Sequence, residues 1–230
     1  SRFIQTSCSG LKFMEICVID SPIKIEKLPL DKIYVLDNWL AHPIHKKVDE
    51  SLKGARWGKS NEVRGGDPTG LPMHQFWGAS MYYDDNWSDE VDNGIILWSK
   101  YLNERVGEDF GFEWEDFQYM GGNSQTQGLY GTIHNDCPDE DQNLSFLYYT
   151  NTHWEDHWGG VLRLYETPED GIETIQGFDL RENGIQIAEV EFKPNRLIMF
   201  DGRIPHGADA PNPSARYMDR RSIVIRGDKV

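Results

Sequence analysis

Cysteine, positive charge and long apolar runs are the three things this chain has little of. Its 230 residues hold three cysteines, Cys8, Cys17 and Cys137. An odd number with no CxxC spacing argues against a disulfide framework and against a cysteine zinc site. A reducing, intracellular and hence cytoplasmic setting fits best. Lys and Arg number 23 against 38 Asp and Glu, a net charge of -15. A polyanion partner needs a basic stripe to neutralise phosphates, so nucleic acid is disfavoured. No apolar stretch approaches the roughly 20 residues of a membrane helix, so a soluble chain with no membrane partner is expected. A secretory start is also missing; residues 1–13 could belong to an appended leader and are set aside.

What is present is an aromatic-rich core: eight Trp, ten Tyr and ten Phe, with 38% hydrophobic residues overall. Without internal repeats, low-complexity tracts or a Pro/Gly/Ser linker, residues 1–230 read as one domain. Residues 14–111 form an N-terminal helical support and lid, and 112–230 a β core. Ser88 as N-cap, Asp89 and Glu90 in the first turn, and Val91, Ile95, Trp98 and Leu102 at helical spacing predict a helix that stops at Gly107. A shorter helix is expected over 42–52, after a strand at Lys32–Val35. Residues 55–87 read as loops and edge strands, with Trp77, Tyr82, Tyr83 and Trp87 part of a substrate lid over about 58–90. Seven β runs follow at 112–120, 129–136, 144–151, 160–166, 185–192, 196–201 and 221–227. Their turn-separated spacing predicts a mainly β sandwich or jelly roll, whose mouth gathers inward side chains around a small ligand.

His134 and Asp136 stand two apart on a predicted strand and so share a face, as ligands of one ion must. With seven His and 38 acidic residues the pair alone is close to a chance event. His206, in a Pro-His-Gly turn some 70 residues on, supplies a third ligand. Two histidines and a carboxylate leave open coordination positions, which suits Fe(II) rather than a closed structural zinc. The C-terminal stretch gathers Arg203, Arg216, Arg220, Arg221 and Arg226. Arg220 and Ser222 alternate on one face of the last strand, and a guanidinium is a fixed fork for a carboxylate; the alternative is that these arginines merely balance neighbouring acids. Arg221 should face the other way, as a surface ion pair. Tyr149 is either a phenolic donor to that carboxylate or a core tyrosine. His153 and His157 have helical spacing that superficially suits zinc, but the segment ends in Gly159-Gly160 and reads as a hairpin tip. His42, His45 and His74 read as structural or surface residues.

These residues resemble a known family. The stretch Asn123-Ser-Gln-Thr-Gln-Gly-Leu-Tyr-Gly-Thr-Ile-His134-Asn-Asp136, then Tyr148-Tyr149-Thr-Asn151, Trp158-Gly159-Gly160-Val-Leu-Arg-Leu-Tyr165 and Arg196-Leu-Ile-Met-Phe200 through His206 to Arg220-Arg221-Ser222 are similar, in order, to the prolyl 4-hydroxylase-like branch of the 2-oxoglutarate and Fe(II)-dependent oxygenases. The resemblance covers about 117–227 and implies a double-stranded β-helix (jelly roll, cupin-like). It implies that His134, Asp136 and His206 ligate iron, that Arg220 with Ser222 beside it anchors 2-oxoglutarate, that Tyr149 hydrogen-bonds to the same carboxylate, and that Tyr119 matches a further site tyrosine. The family's arginine usually follows the distal histidine by about ten residues, where Arg216 stands; the apolar strand that begins right after Arg220 favours Arg220. Fe(II), 2-oxoglutarate and O2 are implied, with ascorbate as an optional further cofactor.

The implied reaction is hydroxylation of a substrate C–H with release of succinate and CO2, on a prolyl residue of a peptide or protein as first choice. Another amino-acid residue or a small molecule is the alternative. Rivals from other classes are a non-catalytic cupin-like binding module, which has no need of a cosubstrate anchor, and a nucleic-acid demethylating oxygenase, opposed by the acidic charge. As histidine ligands must be neutral, activity is expected to fall below about pH 6.5.

Overall fold

Extended segments whose side chains alternate between two faces build two sheets, and helices cover the outer face of the larger one. The computed structural model describes residues 14–24, 31–60, 76–83, 86–88, 93–111, 113–129, 131, 133–136, 143–168 and 177–229. In chain order the elements are β1 (Ile16–Ile19), β2 (Ile33–Leu36), α1 (His42–Lys53), β3 (Gly58–Ser60), β4 (Phe76–Tyr83), β5 (Asn86–Trp87), α2 (Asn93–Phe110), β6 (Trp114–Gln125), β7 (Asn143–Tyr149), β8 (Leu162–Tyr165), α3 (Gly177–Asn183), β9 (Gln186–Val190), β10 (Leu197–Asp201), β11 (His206–Ala208) and β12 (Arg220–Lys229). The main sheet runs β1-β2-β10-β7-β12-β6-β4-β3, with β5 on β4, and a smaller sheet runs β11-β8-β9. This is the mainly β, jelly-roll architecture expected.

β7 shows how one strand serves two cores. Phe146 and Tyr148 face outward into a cluster with Val48 and Leu52 of α1 and Leu102, Val106 and Phe110 of α2. Leu147 and Tyr149 face inward, between the sheets, with Leu162 and Leu164 of β8, Ile198 and Phe200 of β10, and Phe192. The inward cluster is the barrel interior, open to chemistry at its rim.

Several expectations need correction. Gly107 lies inside α2, which runs to Phe110; the left-handed stop is Gly111, at φ 71°, because only there does the chain need a positive φ. The expected helix start at 89–92 lies outside the described residues. The described residues of 129–136 form no strand and make only an isolated bridge at His134. β6 runs five residues past Met120 through two glycines. Gly122 is needed there, since a Cβ would lie 3.1 Å from Met81 Cε and 3.2 Å from Trp57 Cη2. The edge strands expected within 55–87 are present as β3, β4 and β5 at one end of the main sheet, and much of the proposed lid over 58–90 lies outside the described residues. β4 pairs with β6 and β3, and Tyr82 stacks on Phe117 with Trp87 edge-on to it. Trp77 is exposed. Among the described residues no helix is long and apolar enough to cross a membrane.

Arg221 does face away from the barrel, but it is not a surface residue. Its side chain is 5% exposed and pairs with Asp49 of α1, itself 1% exposed, at 2.7 Å, and with Asp219. Asp49 also accepts from Lys53 and Thr152, each on Oδ2. His45 of the same helix is buried between Tyr148 Oη (2.5 Å) and the Asn151 carbonyl (3.0 Å), a structural role as expected. Burial pushes the Asp49 carboxyl up, yet hydrogen bonds from Lys53 and Arg221 and the guanidinium charge outweigh it and hold it below its ordinary value. The unfolded chain therefore takes up this proton first as pH drops, and Asp49's contribution is present above about pH 4 and lost below it. Asp49→Ala, which leaves the buried Arg221 guanidinium with Asp219 as its remaining carboxylate, is expected to cost about 2–3 kcal/mol in urea unfolding at pH 7. That difference should shrink on moving to pH 3.

Candidate metal centre and anion pocket

One backbone contact brings the predicted metal ligands together. His134 and His206 are opposite each other in the isolated antiparallel bridge, each N–H donating to the other's carbonyl at 3.0 and 2.8 Å. Opposed residues project on the same side, and the two imidazole centroids are 4.7 Å apart. The Asp136 N–H donates to the Gly202 carbonyl at 2.8 Å, which turns its carboxylate back toward both rings. Asp136 Oδ1 lies 3.7 Å from His134 Nε2, and Oδ2 lies 3.6 Å from His206 Nε2. Among the described residues this is the only such trio, its ligand atoms all within 4.8 Å of one another. The shared face expected from a strand is thus supplied by a bridge across two segments.

Protonation states suit a metal. His206 Nδ1 lies 2.8 Å from the Ile204 carbonyl; with the proton donated there, the Nε2 lone pair is free for an ion. Burial pushes His206 down to about 4, against the opposing pull of Asp136. Burial alone would raise Asp136, but His206, Arg226, His134 and the Ser145 hydroxyl bring it to about 2. At neutral pH the pair is imidazole and carboxylate, the forms that bind metal. For His206 the loss expected near pH 6.5 moves well into acid. Two histidines and one carboxylate, with no cysteine, fit Fe(II) with coordination positions left open.

Arg220 is 1% exposed on the inner face of β12. Its Nε donates to the Gly160 carbonyl at 2.9 Å and its Nη1 to Gln125 Oε1 at 3.0 Å and Ser222 Oγ at 3.4 Å. The guanidinium lies over the Tyr149 and Phe192 rings, 4.8 and 5.0 Å from their centroids. Two buried polar atoms here make no hydrogen bond with the protein: Arg220 Nη2 and Tyr149 Oη. Burial pushes the Tyr149 phenol up while Arg220 opposes it, so it stays a neutral donor. Such orphans are costly unless a ligand atom satisfies them. A carboxylate, acceptor on both oxygens, is the complement. Arg216 is exposed at φ 55°, outside the barrel.

Tyr119 is brought to the other end of the interior. It pairs across the sheet with Arg226, as Gln125 does with Arg220, and Arg226 Cζ sits 4.5 Å from its ring centroid. It therefore neighbours Asp136 through Arg226 and not Arg220. His153 and His157 lie on an exposed loop, His153 against Glu155 at 3.2 Å. His42 is exposed, His74 lies outside the described residues, and Cys17 is a free thiol. Sequence reasoning missed Ser145, Gln125, Gly160 and Arg226. Their signal was the period of two, since Ser145 and Tyr149 on β7, and Arg220, Ser222 and Arg226 on β12, share one face.

The profile of the 2OG-Fe(II) oxygenase superfamily matches residues 118–225, a span that holds His134, Asp136, His206, Tyr149 and Arg220 and ends one residue before Arg226. That segment carries the 2OG-Fe(II) oxygenase match. The cofactors of this superfamily are Fe(II), 2-oxoglutarate and O2, and the His-Asp-His trio is the candidate iron site. Among solved structures, a prolyl hydroxylase from Trichoplax adhaerens in complex with a hypoxia inducible factor peptide fragment is 19% identical, with 85% of this chain and 83% of that chain covered and a TM-score of 0.53. A prolyl-4-hydroxylase from Pseudomonas putida is 15% identical over 86% and 92%, with a TM-score of 0.52. A 2OG-Fe(II) oxygenase family oxidoreductase from Burkholderia pseudomallei is 13% identical over 85% of each chain, with a TM-score of 0.55. At such identities these neighbours establish a shared fold. Among curated proteins none matches the sequence.

Gly160 gives the surroundings of Arg220 their most direct test of packing. It sits at φ 80°, and a Cβ would lie 3.1 Å from Arg220 Cδ and 3.3 Å from Trp154 Cζ2. Gly160→Ala is expected to lower unfolding free energy by about 1–3 kcal/mol, from backbone strain and crowding together. The check is chemical denaturation against Gly128→Ala, which shares the positive φ but has nothing within 4 Å of its Cβ.

Proposed function

We propose that this chain is a 2-oxoglutarate- and Fe(II)-dependent dioxygenase that hydroxylates a substrate C–H, with a prolyl residue of a peptide or protein as substrate. The observation that supports the cosubstrate assignment is the pair of buried atoms Arg220 Nη2 and Tyr149 Oη, on neighbouring side chains and each without a hydrogen-bond partner. His134, Asp136 and His206 hold the iron. Arg220, braced by Gly160, Gln125 and Ser222, donates from Nη2 to the distal carboxylate of 2-oxoglutarate, and Tyr149 donates to the same group. Its guanidinium stays charged despite burial, which pushes its pKa down. Fe(II), when bound, would supply a Lewis-acidic, redox-active centre for a reaction in which O2 is the oxidant, one oxygen atom going to the succinate formed with CO2 from 2-oxoglutarate and the other to the substrate hydroxyl.

The chain's own work is orientation and exclusion. Leu147, Leu162, Leu164 and Phe200 wall the interior with apolar surface, which keeps bulk water out and strengthens every charge contact inside. The choice of a prolyl substrate is supported by the fold shared with two prolyl hydroxylases, one of them in complex with a peptide.

Purified protein incubated aerobically with Fe(II), 2-oxoglutarate and ascorbate, the last to keep iron reduced, is expected to form succinate, and faster with a proline-rich peptide. Asp136→Ala should abolish it. No iron-dependent succinate with or without peptide would sink the enzyme reading; turnover without peptide stimulation would sink only the prolyl one. Arg220→Ala is expected to raise the apparent KM for 2-oxoglutarate at least about tenfold, the scale of a lost charge-assisted hydrogen bond. Arg216→Ala should leave it within about twofold, as an exposed side chain outside the barrel does; the reverse pattern would move the anchor to Arg216.

A further inference from the structure

Asp136 is held from behind on both of its oxygens. Ser145 Oγ donates to Oδ2 at 2.6 Å and Arg226 Nη1 donates to Oδ1 at 2.9 Å. The ion pair is well shielded, with Asp136 4% and Arg226 26% exposed. Arg226 is itself fixed over the Tyr119 ring. That ring can lie along β6 only because residue 121 is glycine, where a Cβ would fall 2.0 Å from Tyr119 Oη. A guanidinium, a phenol and a glycine are thus arranged around one oxygen of one carboxylate.

A carboxylate can bind a divalent ion through one oxygen or through both. Each oxygen has two lone-pair positions, so Oδ2 can accept the Ser145 hydroxyl and still face an ion. Oδ1 cannot do the equivalent at similar cost. It already carries a full positive charge, and an ion on the same oxygen would bring that charge within a few ångströms of a second cation.

We propose that Arg226 withdraws Asp136 Oδ1 from metal coordination, so that Asp136 binds through Oδ2 alone and the position a second oxygen would fill stays open for 2-oxoglutarate. This rests on His134, Asp136 and His206 being the iron ligands. Arg226 is a positioning residue: it acts on the metal only through Asp136, and its effect is on how many coordination positions remain. Removing it should therefore not weaken metal binding; it should weaken the mutual reinforcement between metal and cosubstrate.

The test uses Mn(II), a redox-silent stand-in, titrated into metal-free full-length protein and followed by loss of the free-ion EPR signal, with and without saturating 2-oxoglutarate. In the wild type each ligand is expected to tighten the other, and a wild type that binds Mn(II) without such coupling overturns the proposal. Arg226→Met is expected to bind Mn(II) alone at least as tightly as the wild type while losing about tenfold or more of that coupling, within the usual range of coupling between two sites. Arg226→Lys keeps the charge on Oδ1 and should hold the coupling to within about threefold, its main loss being the fork and the ring stack. Ser145→Ala should do the opposite of Arg226→Met, weakening Mn(II) about tenfold with the coupling kept. Weaker Mn(II) binding by Arg226→Met with the coupling intact makes Arg226 a structural brace and overturns the proposal, as does a Lys variant that behaves like the Met one. A wild-type protein that binds no Mn(II) overturns the iron reading itself, a distinct result.

Discussion

A fully buried guanidinium with no carboxylate beside it is the constraint around which the interior is arranged. Among the described residues Arg220 forms no salt bridge; its partners are a carbonyl, an amide oxygen and a hydroxyl. Neutral acceptors recover only part of the solvation a cation gives up, and isolated buried charge is among the most expensive things a fold can contain. The barrel meets that cost with two aromatic faces, from Tyr149 and Phe192, and with a glycine at φ 80° that lets the side chain lie flat. What it withholds is an anion. A protein that buries a cation and stops short of neutralising it is built around a ligand that arrives with the missing charge.

The metal centre follows a complementary logic. Its carboxylate is over-provided, with a hydroxyl on one oxygen and a guanidinium on the other, whereas the imidazole of His206 is kept neutral by burial and held by a single carbonyl. One end of the barrel therefore stores an anion already balanced, and the other stores a cation in want of balance. An anionic ligand beside Arg220 would balance the second.

Much of this was legible because the relevant elements are extended and the period of two is unambiguous. The face shared by Arg220 and Ser222, the opposite orientation of Arg221, and the inward position of Tyr149 all follow from strand alternation, and the structure has each of them so. What could not be read was what lies behind each face. Arg221 looked solvent-facing because nothing in its strand reveals that Asp49, 172 residues away in sequence, covers it from α1. The run before His134 looked like a strand because its apolar residues alternate, but its geometry comes from one bridge to β11, a strand of three residues that no periodicity detects. Gly121 and Gly122 ended the predicted strand at Met120, because composition records the cost of glycine and not the tyrosine and methionine that need the room.

The adjacency of Arg220 and Arg221 makes the register of β12 a reading frame. Pairing with β6 is unbroken from Arg220 to Arg226, and the irregularities fall only beyond Arg226. A one-residue slip of the whole strand against its neighbours would exchange every inward side chain for the next one along. The barrel would still receive an arginine, now Arg221, while α1 would meet Arg220 in its place; the isoleucines at 223 and 225 would turn toward the iron, and Val224 toward the helices. Such a slip preserves composition, hydropathy and most of the backbone pairing. It scrambles the site without erasing a single functional residue.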